Sequence, residues 1–376
     1  MKKALFALVA VAFGLPLGHL AHDRLRTPRV DMTTEVWRHR MHAMARARVF
    51  MPAPPSGAGL DPGGFSGAAP SGAGDTLECR YEPDETSGTT PKFHCRLPSG
   101  EIVKVKYGIN PEIPGEVAAT RLLAALGFGA DHMSVAVRVR CYGCPRSPYR
   151  SRQVAEWFFV AGLLDRFLDY TEYADFARPA VERKLPWRAV EVDEAQGFGF
   201  YELPLVDASR GGATSAELDA FRLMAVFLAH WDNKASNQRI VCLGDKGPDG
   251  PEPCASPLLM IQDAGATYGP RKVNHDGWED APIWRDDEGC TVSMADMPFG
   301  GATFTDAGIS EAGRRLLAEK LSGLTEADIT ALFRSSNFPD ADTGEPGAPD
   351  VSQWVRTFQR KVREITSRVC APSPSR

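Results

Sequence analysis

The chain has 376 residues, 43% hydrophobic and 24% charged, which is enough for one large domain or two lobes. A formal net charge of −5, with no basic stripe interleaved with aromatics, excludes a nucleic-acid binder, because phosphate contacts need a concentrated cationic face. The even count of eight cysteines suits a disulfide-bonded protein of an oxidising compartment.

At the N-terminus, Lys2 and Lys3 precede an apolar run from Ala4 to Leu17, the charged and hydrophobic regions of an export signal. Residues 1–21 therefore read as a signal peptide or a membrane anchor. Ala21 suits the position before a cut, whereas His19 fits poorly two places earlier. The run is short for a bilayer span of roughly 20 residues. The expected location is exported: periplasmic, extracellular, or attached through the N-terminus to the inner membrane and facing outward. Residues 22–75 combine a basic helical stretch, Thr33 to Val49, with a Pro/Gly/Ser/Ala-rich linker over 52–75, which has too little apolar surface to offset its ordering entropy. The folded part is expected to open near Thr76, with a first lobe over 76–207, including an insertion, and a helical lobe over 208–376.

Strand patterns follow at Leu77–Tyr81, Lys92–Leu97 and Ile102–Tyr107. A helix opens near Pro114 and carries Val117, Leu122, Leu123 and Leu126 up to Gly127. Alternating valines over Ser134–Cys141 predict a fourth strand, and Gly199–Leu203 a fifth. The aromatic- and Arg-rich insertion over 145–190 reads as partly helical. Beyond Gly211-Gly212, Leu218, Phe221, Leu223, Met224, Phe227 and Leu228 mark a core-facing helix. Short strands are expected at Arg239–Leu243 and Leu258–Gln262, and helices at Ser310–Leu321, Thr325–Phe333 and Ser352–Val369, with a capping box from Thr325 to Asp328. Strands first and helices later define an α+β fold with two lobes. Chain neighbourhood favours disulfides Cys79–Cys95, Cys141–Cys144, Cys242–Cys254 and Cys290–Cys370, although the sequence permits many other connectivities.

Phosphoryl transfer requires a cation on the phosphates, an acid that holds that cation, oxygen ligands for a metal, and an Asp facing the acceptor hydroxyl. Lys106 ends an alternating strand and Glu116 stands at the start of the next helix; a buried lysine needs such a partner. Lys104 shares the face of Lys106 by alternation, and the Val-Lys-Val-Lys run favours Lys106. Solvent-facing lysines of an edge strand are the plainer reading. Asp232, past a long apolar helix, and Asn237 have a spacing that directs one towards an acceptor and the other towards a metal. Asp263 ends a strand two residues before Gly265 and supplies a second metal ligand. Taken alone, Asp232–Asn237 equally suits a helix C-terminal turn.

In order along the chain, these segments acquire a resemblance. Ser87-Gly88-Thr89-Thr90-Pro91-Lys92-Phe93 resembles the phosphate-covering Ser-Gly-x-x-Pro-Lys loop of HipA-type kinases. Asp232-Asn-Lys-Ala-Ser-Asn237 resembles their Asp-x-His-x-x-Asn loop, and equally the Asp-Arg-His-x-x-Asn loop of phosphoinositide 3-kinases. Asp263-Ala-Gly265 is similar to the Asp-Phe-Gly motif, and the segment from Glu116 looks like the helix that carries the ion-pair glutamate. The resemblance spans roughly 76–335 and implies a two-lobed protein-kinase-like fold. It also implies ATP with Mg²⁺ (or Mn²⁺) as cofactors, and a nucleotide plus an unknown protein or small-molecule acceptor as partners. Ser87, Gly88, Thr89, Thr90, Lys106 and Glu202 would then hold the nucleotide, Glu116 would pair with Lys106, Asp232 would face the acceptor, and Asn237 with Asp263 would bind metal. Lys234 departs from the His of the related loops, and the first loop has one Gly where typical protein kinases have three. A non-catalytic pseudokinase scaffold or nucleotide-binding module of the cell envelope is the alternative.

Other signals are weaker. Cys141-Tyr-Gly-Cys144 has redox spacing, but Pro145 and Pro148 follow instead of a helix start, and no second pair completes a zinc site. Gly197-Phe-Gly199 lacks the third Gly of a dinucleotide fingerprint. His275 and Trp278 read as packing or as part of the substrate face. Arg146–Arg152 reads as a solvated face, or one that meets anionic lipid or substrate.

Overall fold

The structure, a computed structural model, describes residues 35–52, 76–84, 88–158, 166, 168–192, 196–286, 289–298, 300–338 and 350–370. The expected signal segment, Ser87 and most of the linker lie outside those residues. No helix of the described residues is long and apolar enough to cross a membrane.

The first half is a seven-stranded sheet. Strands β1 (Thr76–Glu82), β2 (Lys92–Arg96) and β3 (Ile102–Lys106) form an antiparallel meander. Period-2 alternation sends Tyr81, Phe93, Cys95, Val103 and Val105 into one buried cluster and leaves Lys92, His94, Lys104 and Lys106 on the opposite face. Helix α1 (Glu35–Arg46) precedes the sheet in the chain, and α2 (Glu112–Ala125) follows β3. The expected fourth strand divides into β4 (His132–Val135) and β5 (Arg138–Tyr142), which join different neighbours although the valine alternation runs through both. The insertion contains α3 (Pro148–Trp157), then β6 (Tyr173–Ala177) and β7 (Ala180–Arg183). The strand order is β4-β7-β3-β2-β1-β5-β6, antiparallel throughout except where β1 meets β5. β7, the strand beside β3, thus comes from sequence expected to be partly helical.

The second half is mostly helical. It comprises α4 (Ser215–Phe227), the hairpin β8 (Gln238–Cys242) and β9 (Pro257–Ile261), the short α5 (His275–Asp280), a two-stranded pair β10 (Thr291–Val292) and β11 (Ala307–Gly308), and then α6 (Glu311–Ser322), α7 (Glu326–Ser335) and α8 (Val351–Ser367). Three of the helices open on capping boxes, Thr214/Glu217, Thr325/Asp328 and Asp350/Gln353, which satisfy first-turn N–H groups. Trp278 is a core residue that donates to the Phe227 carbonyl at 2.9 Å and stacks on Trp354 at 5.9 Å, while His275 meets Thr357 at 3.1 Å. Both are therefore packing residues. The four expected disulfides all form, with Cα separations of 5.4–5.6 Å.

Two local expectations are corrected. Gly199–Leu203 is not a strand: Phe200–Leu205 is a 3₁₀ helix with Pro204 inside it, a residue that cannot donate to a ladder. The folded part also begins well before Thr76. Ala43, Met44, Ala47 and Val49 join the large helical core, Arg48 bridges to Leu258, and Phe50 stacks near Phe128 at 4.5 Å. Arg40 anchors α1 to that core. Only 2% exposed, it donates to both oxygens of Glu202, at 2.8 and 3.0 Å, and to the Gly197 carbonyl at 2.8 Å. Its replacement by methionine leaves a mostly buried carboxylate without its cation, a loss of about 3–5 kcal/mol for a buried pair. A markedly lower urea midpoint is the expected outcome, and an unchanged midpoint would show that α1 is not anchored there.

Candidate functional site

A cavity of about 630 Å³ lies between the sheet face and the helical half, within the usual size range of ligand sites. Its wall includes Gly88, Lys106 and Glu116 from the first half and Asn237 and Asp263 from the second. Residues expected from well-separated segments thus meet in one cleft. Asp232 sits beside it, its carboxylate 3.6 Å from the ammonium of the lining residue Lys234.

The centre of the cleft is a buried ion cluster. Lys106 is 4% exposed and pairs with Glu116, 3% exposed. A second acid was missed in the sequence: Glu182 of β7 lies 3.1 Å from Lys106 and 2.7 Å from Lys104. Register explains the arrangement, since Lys104 stands opposite Glu182 and Lys106 opposite Ala180. The one available signal was the alternation Ala180-Val-Glu-Arg, hidden in sequence read as helical. Burial disfavours the Lys106 ammonium, but Glu116, Glu182 and Asp263 outweigh it and raise the pKa. The two acids move in opposite directions. Burial, with the nearby charges of Asp263 and Glu182, lifts Glu116 to about 7 against the pull of Lys106. Glu182 is equally buried, but Lys106 and Lys104 together bring it down to about 2.

The loop after α4 is fixed by backbone contacts. His230 is fully buried, with its pKa lowered to about 4 by burial, so it is a neutral ring at physiological pH; it lies 3.3 Å from the Gln238 amide. The Asn233 side chain donates to His230 O at 2.9 Å and accepts from Thr303 N and Phe304 N at 2.7 and 2.8 Å. The Asn237 amide nitrogen donates to Asp232 O at 2.6 Å, which leaves its oxygen as the available ligand. Asn237 O in turn accepts from the N–H groups of Gln262 and Asp263, at 2.8 and 3.0 Å, so the two metal-ligand candidates share one backbone frame. Gly197 closes the frame from outside. Its φ is +66°, and a Cβ there would lie 2.1 Å from both Ala235 O and Gln238 O. The Gly197-Phe-Gly199 segment therefore serves backbone approach.

Asp263 opens towards the cleft. Burial would raise its carboxyl, but Lys106, the Gly265 N–H at 3.1 Å and Lys92 hold it below the usual range, so it is ionised at neutral pH. Gly265 contributes that amide donor and is not in a left-handed conformation. With the Asn237 oxygen, this gives an all-oxygen donor set that fits a hard divalent cation such as Mg²⁺. Of the expected nucleotide loop, Gly88 lines the cavity and Thr90 bonds Glu112 of α2. The lining does not include Thr89, and Ser87 lies outside the described residues. Glu202 is not brought to the cleft. Its carboxylate accepts from Arg40 and from Gly199 N at 2.8 Å, and it works as a structural clamp.

The ion cluster makes a graded prediction. Removing Glu182 leaves Lys104 without an acid and Lys106 with Glu116 alone, whereas removing Glu116 leaves both lysines with Glu182. Glu182→Gln should therefore cost about 3–5 kcal/mol at pH 7 and Glu116→Gln clearly less. Because the folded pKa of Glu182 is depressed from 4.5 to about 2, its contribution is present above pH 4.5 and fades as pH falls towards 2. Denaturant unfolding at pH 7 and pH 3 should show the Glu182→Gln deficit shrinking at the lower pH. Equal losses for the two variants at pH 7 would contradict this ranking.

No family model matches the chain, and no curated protein does. Eight chains among the solved structures match it. One is the crystal structure of a Helicobacter pylori proinflammatory kinase, CtkA, with 11% identity over 78% of this chain and 95% of that chain, at a TM-score of 0.41. So distant a likeness carries no weight for the chemistry, which rests on the geometry of the cleft.

Proposed function

We propose that this chain is an exported, disulfide-stabilised phosphotransferase of atypical protein-kinase-like type, akin to the HipA group, that takes a phosphoryl group from Mg²⁺-bound ATP to an unidentified protein or small-molecule acceptor. The observation that carries this reading is the convergence of Lys106, Glu116, Asn237 and Asp263 on one cavity with Asp232 beside it. Lys106, held charged by Glu116 and Glu182, meets the phosphates together with the backbone near Gly88 and Thr90. Asp232 has an oxygen, Oδ1, that is buried without a hydrogen-bond partner among the described residues, a free acceptor for the proton of an incoming hydroxyl. Asn237 and Asp263 would hold the metal, which when bound supplies charge neutralisation on the phosphates. Four disulfides among the described residues support an oxidising, exported setting.

A non-catalytic envelope scaffold is the second reading. It draws on Lys234, whose ammonium lies beside the Asp232 carboxylate and competes with an acceptor for it.

Incubation of the purified protein with γ-labelled ATP, Mg²⁺ (or Mn²⁺) and envelope extract separates the two. Transfer of label is expected, with Asp263→Ala abolishing it and Asp232→Asn reducing it by roughly 100-fold or more. Absence of transfer, or labelling that Asp263→Ala leaves untouched, sinks the catalytic reading. A scaffold that retains the cleft would still melt at higher temperature with ATP in a Mg²⁺-dependent manner.

A further inference from the structure

The cleft carries charge where a nucleotide site ordinarily carries apolar surface. A purine has two flat, weakly polar faces, and pockets for such ligands are lined mainly by hydrophobic and aromatic side chains. Among the described residues lining this cavity there is no such side chain. Alternation is the cause. On β2, β3 and β7 the apolar residues Phe93, Val103, Val105 and Val181 all turn to the opposite face and fill the core of the sheet. The cleft face receives Lys92 next to Lys106, and Lys104 between His94 and Glu182. The helical half contributes Gln238 and Arg239 from β8, where a base would need a second apolar wall.

The carboxylates of the lining are largely committed. Glu116 and Glu182 belong to Lys106 and Lys104, Asp249 holds Arg239 at 2.5 Å, and Glu191 lies 4.0 Å from Arg239. Asp263 is placed for the metal. Two lining cations remain without an ion pair among the described residues, Lys92 and Lys184. The Lys92 ammonium lies under the phosphate-covering loop, 3.2 Å from where a Gly88 Cβ would be. Burial, followed by repulsion from Lys106 and Lys104, lowers the pKa of Lys92, so it would gain from a bound anion.

We propose that the cleft binds a condensed phosphate chain without selective contact to a nucleobase, so that inorganic polyphosphate serves as phosphoryl donor as well as ATP does. The proposal rests on the phosphotransfer reading above and concerns the donor alone. The acceptor hydroxyl oxygen bonds to the terminal phosphorus and the bridging P–O bond to the next phosphate breaks. The chain leaves one phosphate shorter, and the hydroxyl proton passes to Asp232. A donor with no base also suits an exported protein, which works where nucleotides are scarce.

Titration calorimetry of the intact disulfide-bonded protein in Mg²⁺ tests this with tripolyphosphate, ATP, GTP and CTP. Tripolyphosphate is expected to bind within about threefold of ATP, and the three nucleotides alike. ATP binding more than about tenfold tighter than tripolyphosphate and CTP overturns the proposal and leaves the kinase-like reading standing. Failure of all four to bind sinks both. Lys184→Gln, at an exposed position where folding is not at stake, should weaken ATP and tripolyphosphate by the same factor, about fivefold. A loss confined to ATP, or no loss with either, counts against the proposal.

Discussion

The structure is organised around one buried ammonium group. Isolated in a low-dielectric interior, the Lys106 charge would cost several kcal/mol, and it persists only because carboxylates from two directions meet it. Glu116 fixes where α2 must start relative to β3. Glu182 fixes which strand lies beside β3, and so requires the chain to leave after β4, build β5, α3 and β6, and return as β7. The order β4-β7-β3 is the geometric expression of that second carboxylate.

The helical half reaches the same cleft by a different constraint. Its loop from His230 to Asn237 combines a neutral buried ring, an asparagine clamped between the loop and Thr303–Phe304, and a glycine pressed on two carbonyls. These contacts position backbone, and the chemistry rides on them: Asn237 presents its oxygen because its amide nitrogen is taken, and Asp263 stands beside it because both share the Asn237 carbonyl frame. The turn-forming role that an isolated Asp-to-Asn motif suggests is real, but Asn233 performs much of it.

What was legible in the sequence was local. Lys106 and Glu116 are ten residues apart and one turn connects them, so strand alternation and helix position were enough to pair them. The disulfides were legible for the same reason: three of the four span short separations, and Cys290–Cys370 were the two left over. The helix α1 was legible as a helix, but its place in the core was not, nor were the roles of Glu182 and Glu202, because each depends on a partner more than seventy residues away: Lys104 for Glu182, and Arg40 for Glu202. Charge also misled. A helix that reads as basic hides Ala43, Met44 and its clamp Arg40 in the core, and Glu202, expected among the nucleotide ligands, is that clamp's acid.

The two halves are further tied at the mouth of the cleft. Glu112, at the start of α2, accepts from Thr90 of the loop before β2 and pairs with Lys272, from the segment after Asp263. From the other side, the Tyr149 hydroxyl of α3 donates to Gly88 O at 2.6 Å. The segment around Lys272 holds three non-glycine residues in left-handed backbone, Tyr268, Lys272 and Val273, a conformation that persists only where surrounding contacts over-determine it. Those contacts include the Trp231 indole, which donates to Gly269 O at 3.0 Å and links the segment to the 230–237 loop. The 88–90 loop, α2, the segment around Lys272, the 230–237 loop and the end of β9 are therefore joined in series. A shift in any of them must either break a hydrogen bond or carry its neighbours along, so the cleft is held together as a unit.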